Sequence, residues 1–212
     1  MKRAFLFFGE YRDFDKSIVH WERENHEDDF YMSTWSISDL RFDGTGRIFD
    51  VIPKMITDYL PNCVYDIVNR DLYYPEKPHD TTCYMYFHWK NVYRLFTESQ
   101  KEYDIVFLVR TDSIFKEKNH WLEDFVFEFN EDTFYGEAMF KHHSNENITL
   151  ASDVFFFGSQ HIMNTFLSKL PERFTYKVET HKDIANHILS LGWTTNNQYP
   201  YYYLLYRQFI NS

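Results

Sequence analysis

The stretch YDIVFLVRTDSIF, residues 103–115, places an apolar run, Ile105 to Val109, directly before Arg110-Thr111-Asp112. An apolar run of this length is typical of a strand that is buried on both faces of a parallel sheet. A buried strand that ends on two opposite charges carries them to the edge of that sheet. In open α/β sheets, ligands bind outside the carboxyl ends of the parallel strands. The stretch therefore predicts a fold and the edge at which a site would lie.

Short apolar runs alternate with helix-period segments through the first half of the chain, which is the pattern of βαβ units. We predict an α/β fold, with a mostly parallel central sheet flanked by helices in one domain over residues 1–212. The predicted strands are residues 4–9, 29–35, 63–68, 104–109, 133–140 and 153–158, and residues 199–209 are a final strand or a docking segment. The predicted helices are residues 11–24, 49–60, 83–99, 160–169 and 178–190, the last ending at Gly192, and residues 69–82 are predicted to be a loop.

The composition narrows the classes of function. Aromatic residues make up 21% of the 212 residues, which indicates a core built from rings or, alternatively, Tyr and Trp lining a groove for bases or sugars. The formal net charge is −10, from 32 acidic and 22 basic residues. A nonspecific nucleic-acid binder needs a basic surface to displace counterions, so we place nucleic acid below a glycan or a protein as partner. A local basic cleft stays open, because net charge does not fix how charges are arranged.

Cysteine use and hydropathy predict the compartment. Cys63 and Cys83 form neither a CxxC motif nor a Cys/His metal spacing, so we expect buried thiols in a reducing compartment. No apolar run approaches the roughly 20 residues that a membrane-spanning helix needs, which predicts no membrane insertion. We expect a soluble, cytoplasmic protein, in the host cytoplasm if the protein is viral.

The first predicted strand ends at Gly9, and Arg12 follows within one turn. A glycine at this point lets the backbone approach a phosphate, and the N-terminus of a following helix adds partial positive charge. The alternative is structural: Gly9 only turns the chain, and Arg12 pairs with Asp15 or Glu10.

The fourth predicted strand presents Arg110 and Asp112. Arg110 could hold a phosphate directly, and the Asp112 carboxylate suits a hard divalent ion such as Mg²⁺ or Mn²⁺. The alternative is an internal Arg–Asp pair, with Asp112-Ser113 capping the next element. We expect the tips of the first and fourth strands to be neighbours, so that Arg12 and Asp112 lie at one hollow.

A third candidate, Asp153, stands at the head of the aromatic strand in ASDVFFFGS, residues 151–159. A carboxylate at a cleft edge could orient an acceptor hydroxyl or act as its general base. The alternative is an N-terminal cap or a solvated acid of a loop. The sequence contains no HExxH, GxSxG or GxxxxGK motif, which argues against zinc proteases, serine hydrolases and P-loop NTPases.

Four segments in order resemble one family. FLFFGEYR, DDFYMSTW, YDIVFLVRTDSIF and SDVFFFGSQHIM are similar to the motifs of GT-A-type, nucleotide-sugar-dependent glycosyltransferase-like proteins of large DNA viruses, phages and some bacteria. The resemblance covers nearly the whole chain and implies a Rossmann-like GT-A-type domain. It also implies transfer of a sugar from a nucleoside-diphosphate donor to a glycan, protein or other hydroxyl acceptor.

The resemblance assigns roles to particular residues. It implies that Gly9 and Arg12 hold the nucleotide, that Asp112 takes the place of the Mn²⁺ or Mg²⁺ ligand, and that Asp153 faces the acceptor. We expect Trp35 or a tyrosine to stack on the base, and substitution of Asp112 by alanine to abolish transfer while the fold stays intact.

The chain departs from the family at the metal motif. The family has Asp-x-Asp where this chain has Arg-Thr-Asp, so Arg110 could replace part of the ion's charge. Any additional metal ligand would come from His142, His143 or His181. Two other readings stay open: a nucleotidyltransferase, and a glycosyltransferase-like binding module without catalytic activity.

Overall fold

The computed structural model describes residues 1–12, 14–18, 28–39, 47–73, 82–115, 129–136, 140–142, 145–151, 155–170, 180–193 and 202–204. The strands are β1 Arg3–Phe8, β2 Asp29–Trp35, β3 Ile37–Asp39, β4 Ile48–Asp50, β5 Val64–Val68, β6 Ile105–Arg110, β7 Ser113–Phe115, β8 Tyr135–Gly136, β9 Phe140–His142, β10 Asn145–Leu150, β11 Phe155–Gly158 and β12 Tyr202–Leu204. The helices are α1 Phe14–Ile18, α2 Pro53–Thr57, α3 Arg70–Tyr73, α4 Thr82–Glu98, α5 Gln160–Ser168 and α6 Thr180–Ser190.

A six-stranded sheet with the order β5-β2-β1-β6-β11-β8 forms the centre of the fold. The strands β5, β2, β1 and β6 are parallel, and β11 and β8 continue the sheet in antiparallel pairing. The chain extends the sheet from β1 through β2 to β5 and then returns to the other side of β1 at β6. The predicted mixed α/β fold with a mostly parallel sheet is therefore confirmed, and the order of strands reverses between β1 and β6.

Helices cover both faces of this sheet, which explains why β1 and β6 are apolar along their length. Alternate residues of β1, namely Ala4, Leu6 and Phe8, belong to one buried cluster together with residues of α4, α5 and α6. The intervening residues, Phe5 and Phe7, belong to a second cluster with residues of α1 and α2. The period-2 alternation of a strand thus supplies two separate cores from one apolar run.

A row of aromatic rings crosses the sheet on the α1 and α2 face. Phe5 and Phe107 stack with centroids 4.7 Å apart, Phe107 and Phe157 follow at 5.4 Å, and Phe157 and Tyr135 at 4.5 Å. Each ring comes from a different strand, so the row ties β1, β6, β11 and β8 together. Within the described residues, the high aromatic content therefore builds core, as the first of the two interpretations predicted.

Most predicted elements along the sheet are confirmed within a residue or two. Residues 29–35 and 83–99 correspond to β2 and α4, and residues 160–169 and 178–190 correspond to α5 and α6. Gly192 follows α6 with a φ of +77°, and its N–H bonds to the Leu189 carbonyl at 2.9 Å, as expected of a residue that ends a helix.

The helix predicted over residues 49–60 is wrong in its first part. Ile48–Asp50 is a strand that pairs antiparallel with Ile37–Asp39, and the helix begins only at Pro53. Proline fixes φ and lacks an N–H, so it is well suited to the first turn of a helix. Residues 48–50 pair with the preceding strand, β3, and therefore cannot belong to the helix.

Two further segments differ from their predictions. Arg70–Tyr73, predicted to be loop, forms the one-turn helix α3, and the Asn69 Oδ1 accepts a hydrogen bond from the Asp71 N–H at 3.0 Å. An Asn side chain before a helix commonly satisfies such a donor. The strand predicted over residues 133–140 is described as two separate strands, β8 and β9.

The described residues also bear on the predicted environment. Cys63 is a buried free thiol, and burial raises its pKa to about 12. None of the helices in the described ranges combines the length and the apolar character needed to cross a bilayer.

Candidate functional site

The turn after β1 brings two unusual backbone conformations into four residues. Gly9 has a φ of +108°, which only glycine adopts without strain, and its N–H bonds to the Ser33 carbonyl of β2 at 3.2 Å. Arg12 has a φ of +39°, an uncommon value for a residue with a side chain. Its N–H donates to the Ser38 hydroxyl at 2.8 Å. Such strain persists where the surrounding contacts fix it, and it is concentrated at functional sites.

The end of β6 lies directly beside this turn. Phe8 of β1 is in register with Arg110 of β6, and the Thr111 N–H donates to the Phe8 carbonyl at 3.1 Å. The Thr111 hydroxyl donates to the Glu10 carbonyl at 2.5 Å, and the Ser17 hydroxyl donates to the Thr111 carbonyl at 2.6 Å. These bonds hold the tips of β1 and β6 together. The expected adjacency of the first and fourth predicted strands is confirmed.

Two arginines meet on one carboxylate at this edge. Arg110 donates from Nε to Asp112 Oδ1 at 2.5 Å and from Nη2 to Oδ2 at 3.2 Å. Arg12 donates from Nη1 to Asp112 Oδ2 at 2.8 Å, and its Nε donates to Glu10 Oε2 at 3.1 Å. The internal pairing of arginine and aspartate is thus observed. Capping by Asp112-Ser113 is not, because Ser113 begins a strand.

Asp112 is more deeply buried than the two arginines that contact it. The Asp112 side chain is 1% exposed, whereas the side chains of Arg12 and Arg110 are 17% and 19% exposed. Burial alone would raise the pKa of Asp112, but the charges and hydrogen bonds of Arg110 and Arg12 outweigh it and hold the pKa below its ordinary value. The carboxylate is therefore ionised at neutral pH, and it is more deeply buried than the two guanidinium groups.

This arrangement does not fit the metal ligand that the resemblance implies for Asp112. Both oxygens of the carboxylate already accept hydrogen bonds from guanidinium groups. A Mg²⁺ or Mn²⁺ ion bound to either oxygen would lie against two fixed positive charges, which repel it. Within the described ranges, no group of three or more His, Cys, Asp or Glu side chains is placed to hold a metal ion.

The other predicted site residues are only partly described. Asp153 and His143 lie outside the described residues, and His142 lies in β9. His181 lies in the first turn of α6, and its Nδ1 is 2.8 Å from the Ala151 carbonyl oxygen. Of these three histidines, only the His181 side chain is described, and it is held at Ala151.

Trp35 is buried in the core rather than open to a ligand. Its ring is 1% exposed, stacks on Phe87 with centroids 5.2 Å apart and lies 4.2 Å from the ring of His88. Stacking on a base needs an uncovered ring face. The base-stacking role of Trp35 stays a prediction that would require this packing to open.

A part-buried polar network connects β2, β5 and α4 through Ser33, whose carbonyl also accepts the Gly9 N–H. Asn91 donates from Nδ2 to the Ser33 hydroxyl at 2.9 Å and to Asp66 Oδ2 at 3.0 Å. The Ser33 hydroxyl lies 2.7 Å from His88 Nδ1. The Ser33 hydroxyl accepts from Asn91 and still has a hydrogen and a second lone pair, so the tautomer of His88 sets whether Ser33 donates to Nδ1 or accepts from it. Within the described residues, Nε2 has no hydrogen-bond partner.

The sequence interpretation missed the residues that fix the two arginines. Ser17, Ser38 and Thr111 are all buried and hold the backbone of the β1 turn and the β6 tip by hydrogen bonds. Small hydroxyl residues occur throughout the chain, so residue type gives little signal. Thr111 alone had a positional signal, since it stands between Arg110 and Asp112.

Comparisons with known proteins add no assignment. No protein-family model matches the chain, and no curated protein matches it. The likeness to glycosyltransferase-like proteins therefore stays a prediction from the sequence motifs.

The positive φ of Gly9 predicts a site-specific effect of one methyl group. We expect Gly9→Ala to lower the free energy of unfolding by about 1–2 kcal/mol, because a side chain at this φ is strained. Gly192→Ala is the matched control, since Gly192 also has a positive φ but no atom within 4 Å of the added methyl group. Urea unfolding should give similar losses for both variants. Only Gly9→Ala should weaken anion binding, and an unperturbed Gly9→Ala protein would contradict the role of the turn.

Proposed function

We propose that the protein is a nucleotide-sugar-dependent glycosyltransferase that transfers a sugar from a nucleoside-diphosphate donor to a hydroxyl group of a glycan or a protein. The observation that carries this proposal is the meeting of Arg12 and Arg110 on Asp112 between β1 and β6. The strand order reverses between these strands, and ligands of open α/β sheets bind at such reversals. The order is compatible with a Rossmann-like, GT-A-type arrangement.

The chemistry of the donor matches the charges at this edge. When the bond between the sugar and the diphosphate breaks, negative charge develops on the leaving phosphate oxygens. Fixed cationic donors that are already in place stabilise such charge without having to reorganise. A guanidinium presents several N–H groups in one plane, which suits the oxygens of a phosphate. Arg12 and Arg110 supply this function, and the absent side chain of Gly9 leaves room at the turn.

The acceptor would be activated from the neighbouring strand. Its hydroxyl must lose a proton as it attacks the anomeric carbon, and a carboxylate can accept that proton. Asp153, the proposed base, lies outside the described residues. The strand that follows it, β11, starts at Phe155 opposite Val109, one residue before Arg110. This pairing favours an acceptor site on the β11 side of the two arginines.

A donor screen by thermal shift tests the proposal. A ligand that binds the folded protein raises its melting temperature by mass action. We expect at least one sugar nucleotide among UDP- and GDP-sugars to raise the melting temperature of the wild-type protein and not that of Arg110→Gln. Arg94→Gln is the control, because Arg94 is a largely exposed residue of α4 that pairs with Glu98 on the same helix and with Asp66 of β5.

The alternatives give different results in the same screen. A response to nucleoside triphosphates but not to sugar nucleotides would indicate a nucleotidyltransferase. The absence of any nucleotide response would contradict the proposed transferase and favour a binding module.

A further inference from the structure

We propose that Arg12 and Arg110 form a diphosphate clamp that works without a divalent cation, and that Asp112 is the residue that positions it. This inference rests on the proposed function, because it names the part of the donor that the site holds. It departs from the resemblance, which gives Asp112 to a metal. We call Arg12, Arg110 and Asp112 together the arginine clamp.

In the arginine clamp, one carboxylate contacts both guanidinium groups. Asp112 uses Oδ1 for Arg110 and shares Oδ2 between Arg110 and Arg12, so one carboxylate fixes both guanidinium groups. The acid is 1% exposed, and the two bases are 17% and 19% exposed. A carboxylate that serves as a metal ligand must present an oxygen to the ion. Here the carboxylate is almost fully buried, and the two guanidinium groups are the partly exposed members.

Backbone contacts fix the positions of both arginines of the arginine clamp. Arg12 keeps its φ of +39° while its N–H bonds to Ser38 on β3. Arg110 is in register with Phe8 at the end of β6. The two guanidinium groups are therefore placed before any ligand arrives, and such preorganisation lowers the entropic cost of binding.

The charges of the arginine clamp also suit a diphosphate. Two guanidinium groups supply the same formal charge as one divalent cation, and Asp112 neutralises half of it from below. The second acid at the site, Glu10, contacts Arg12 Nε from a partly exposed position. The Glu10–Arg12 contact is 3.1 Å long and less buried than the 2.8 Å Asp112–Arg12 contact, so an incoming phosphate displaces Glu10 from Arg12 more readily than it displaces Asp112. Glu10 thus competes with the ligand, whereas Asp112 supports its binding.

Calorimetric titration of inorganic pyrophosphate into the full-length protein tests the arginine clamp. We expect pyrophosphate to bind in the presence of EDTA, with a Kd that changes by less than about twofold when MnCl₂ replaces EDTA. Arg12→Gln and Arg110→Gln should each weaken binding by about tenfold or more, the usual effect of losing a charge-assisted bond. Arg94→Gln should bind as the wild type does. The melting temperature of each variant shows whether it is folded at the temperature of titration.

Glu10→Gln separates a ligand site from a purely structural ion pair. We expect this variant to bind pyrophosphate about two- to fivefold more tightly, because the competing charge is removed. A structural ion pair without a ligand predicts no gain. Unchanged or weaker binding by Glu10→Gln, or pyrophosphate binding that requires Mn²⁺, overturns the inference.

The outcome for the clamp and the outcome for the transferase can be told apart. Sugar nucleotides that raise the melting temperature only with Mn²⁺ would overturn the metal-independent clamp and leave the glycosyltransferase proposal standing. No response to sugar nucleotides with or without Mn²⁺ would overturn both proposals.

Discussion

Substitution of Asp112 by alanine is expected to lower the free energy of unfolding by about 3–5 kcal/mol, the usual cost of removing one partner from a buried ion pair. The carboxylate is 1% exposed and lies against Arg110 and Arg12. Without it, the two guanidinium groups lose the buried carboxylate that both of them contact. The expectation from sequence that this variant keeps its fold intact is therefore replaced by one of substantial destabilisation.

Urea unfolding at neutral pH measures this effect, and Asp58→Ala is its matched control. Asp58 also pairs with a cation, Lys54, at 2.6 Å, but both side chains are largely exposed. We expect the control to change the free energy of unfolding by no more than about 0.5 kcal/mol. A loss in Asp112→Ala as small as that of the control would show that the arginines do not depend on Asp112.

The pH dependence of the same pair has a defined sign. The folded protein holds the pKa of Asp112 below its ordinary value, so the unfolded chain takes up the proton first as the pH falls. The stabilisation from Asp112 is therefore present above the unfolded pKa, and it is lost as the pH falls through the lowered folded pKa. The difference between wild type and Asp112→Ala should persist through the mildly acidic range.

The sequence predicted those parts of the fold that one continuous pattern specifies. The apolar runs of β1 and β6 can only be buried if helices cover both faces of the sheet, and the stripe on α4 supplies one of those helices. Pairings between distant segments were less accessible. Nothing in residues 48–50 shows that β3 is their partner, and the antiparallel direction of β11 depends on the path of the chain before it.

The position of the candidate site could be predicted from the sequence, but the contacts between its residues could not. The charges of Arg110 and Asp112 follow an apolar strand, which places them at the edge of a sheet. Arg12 is 100 residues away from Asp112 in sequence, and their contact depends on β1 and β6 being neighbours. The sequence cannot state that Asp112 gives both of its oxygens to arginines. This single fact changes its expected role from metal ligand to positioning residue.

His88 is a residue whose importance appears only in the structure. It stands on α4 among apolar residues, where a histidine gives no distinctive sequence signal. Its ring is buried, and burial lowers its pKa to about 3. Protonation would add a second N–H and a positive charge to the His88 ring. That ring packs against Trp35, and its Nδ1 faces Ser33. The folded protein therefore keeps His88 neutral, and the nearest charged groups of the network, Asp66 and Arg94, lie beyond Asn91.

This neutral histidine predicts a loss of stability in mild acid. The unfolded chain protonates His88 near its ordinary pKa of about 6.5, whereas the folded protein resists until about pH 3, so acid favours the unfolded state. Between pH 7 and about pH 4.5, the lowered pKa of His88 should remove about 2–3 kcal/mol from the free energy of unfolding. The stabilisation is present above the unfolded pKa and is lost progressively below it.

Comparison of slopes isolates this contribution from that of other groups. Burial also lowers the pKa of His187, so a second histidine contributes to the wild-type slope with the same sign. His88→Gln removes only the first contribution, and we expect its free energy of unfolding to fall by about 2–3 kcal/mol less than that of the wild type over the same pH range. His161→Gln, a change at an exposed position of α5, is the matched control. Equal slopes for His88→Gln and the wild type, measured by urea unfolding at each pH, would mean that His88 takes up its proton as readily in the folded protein as in the unfolded chain.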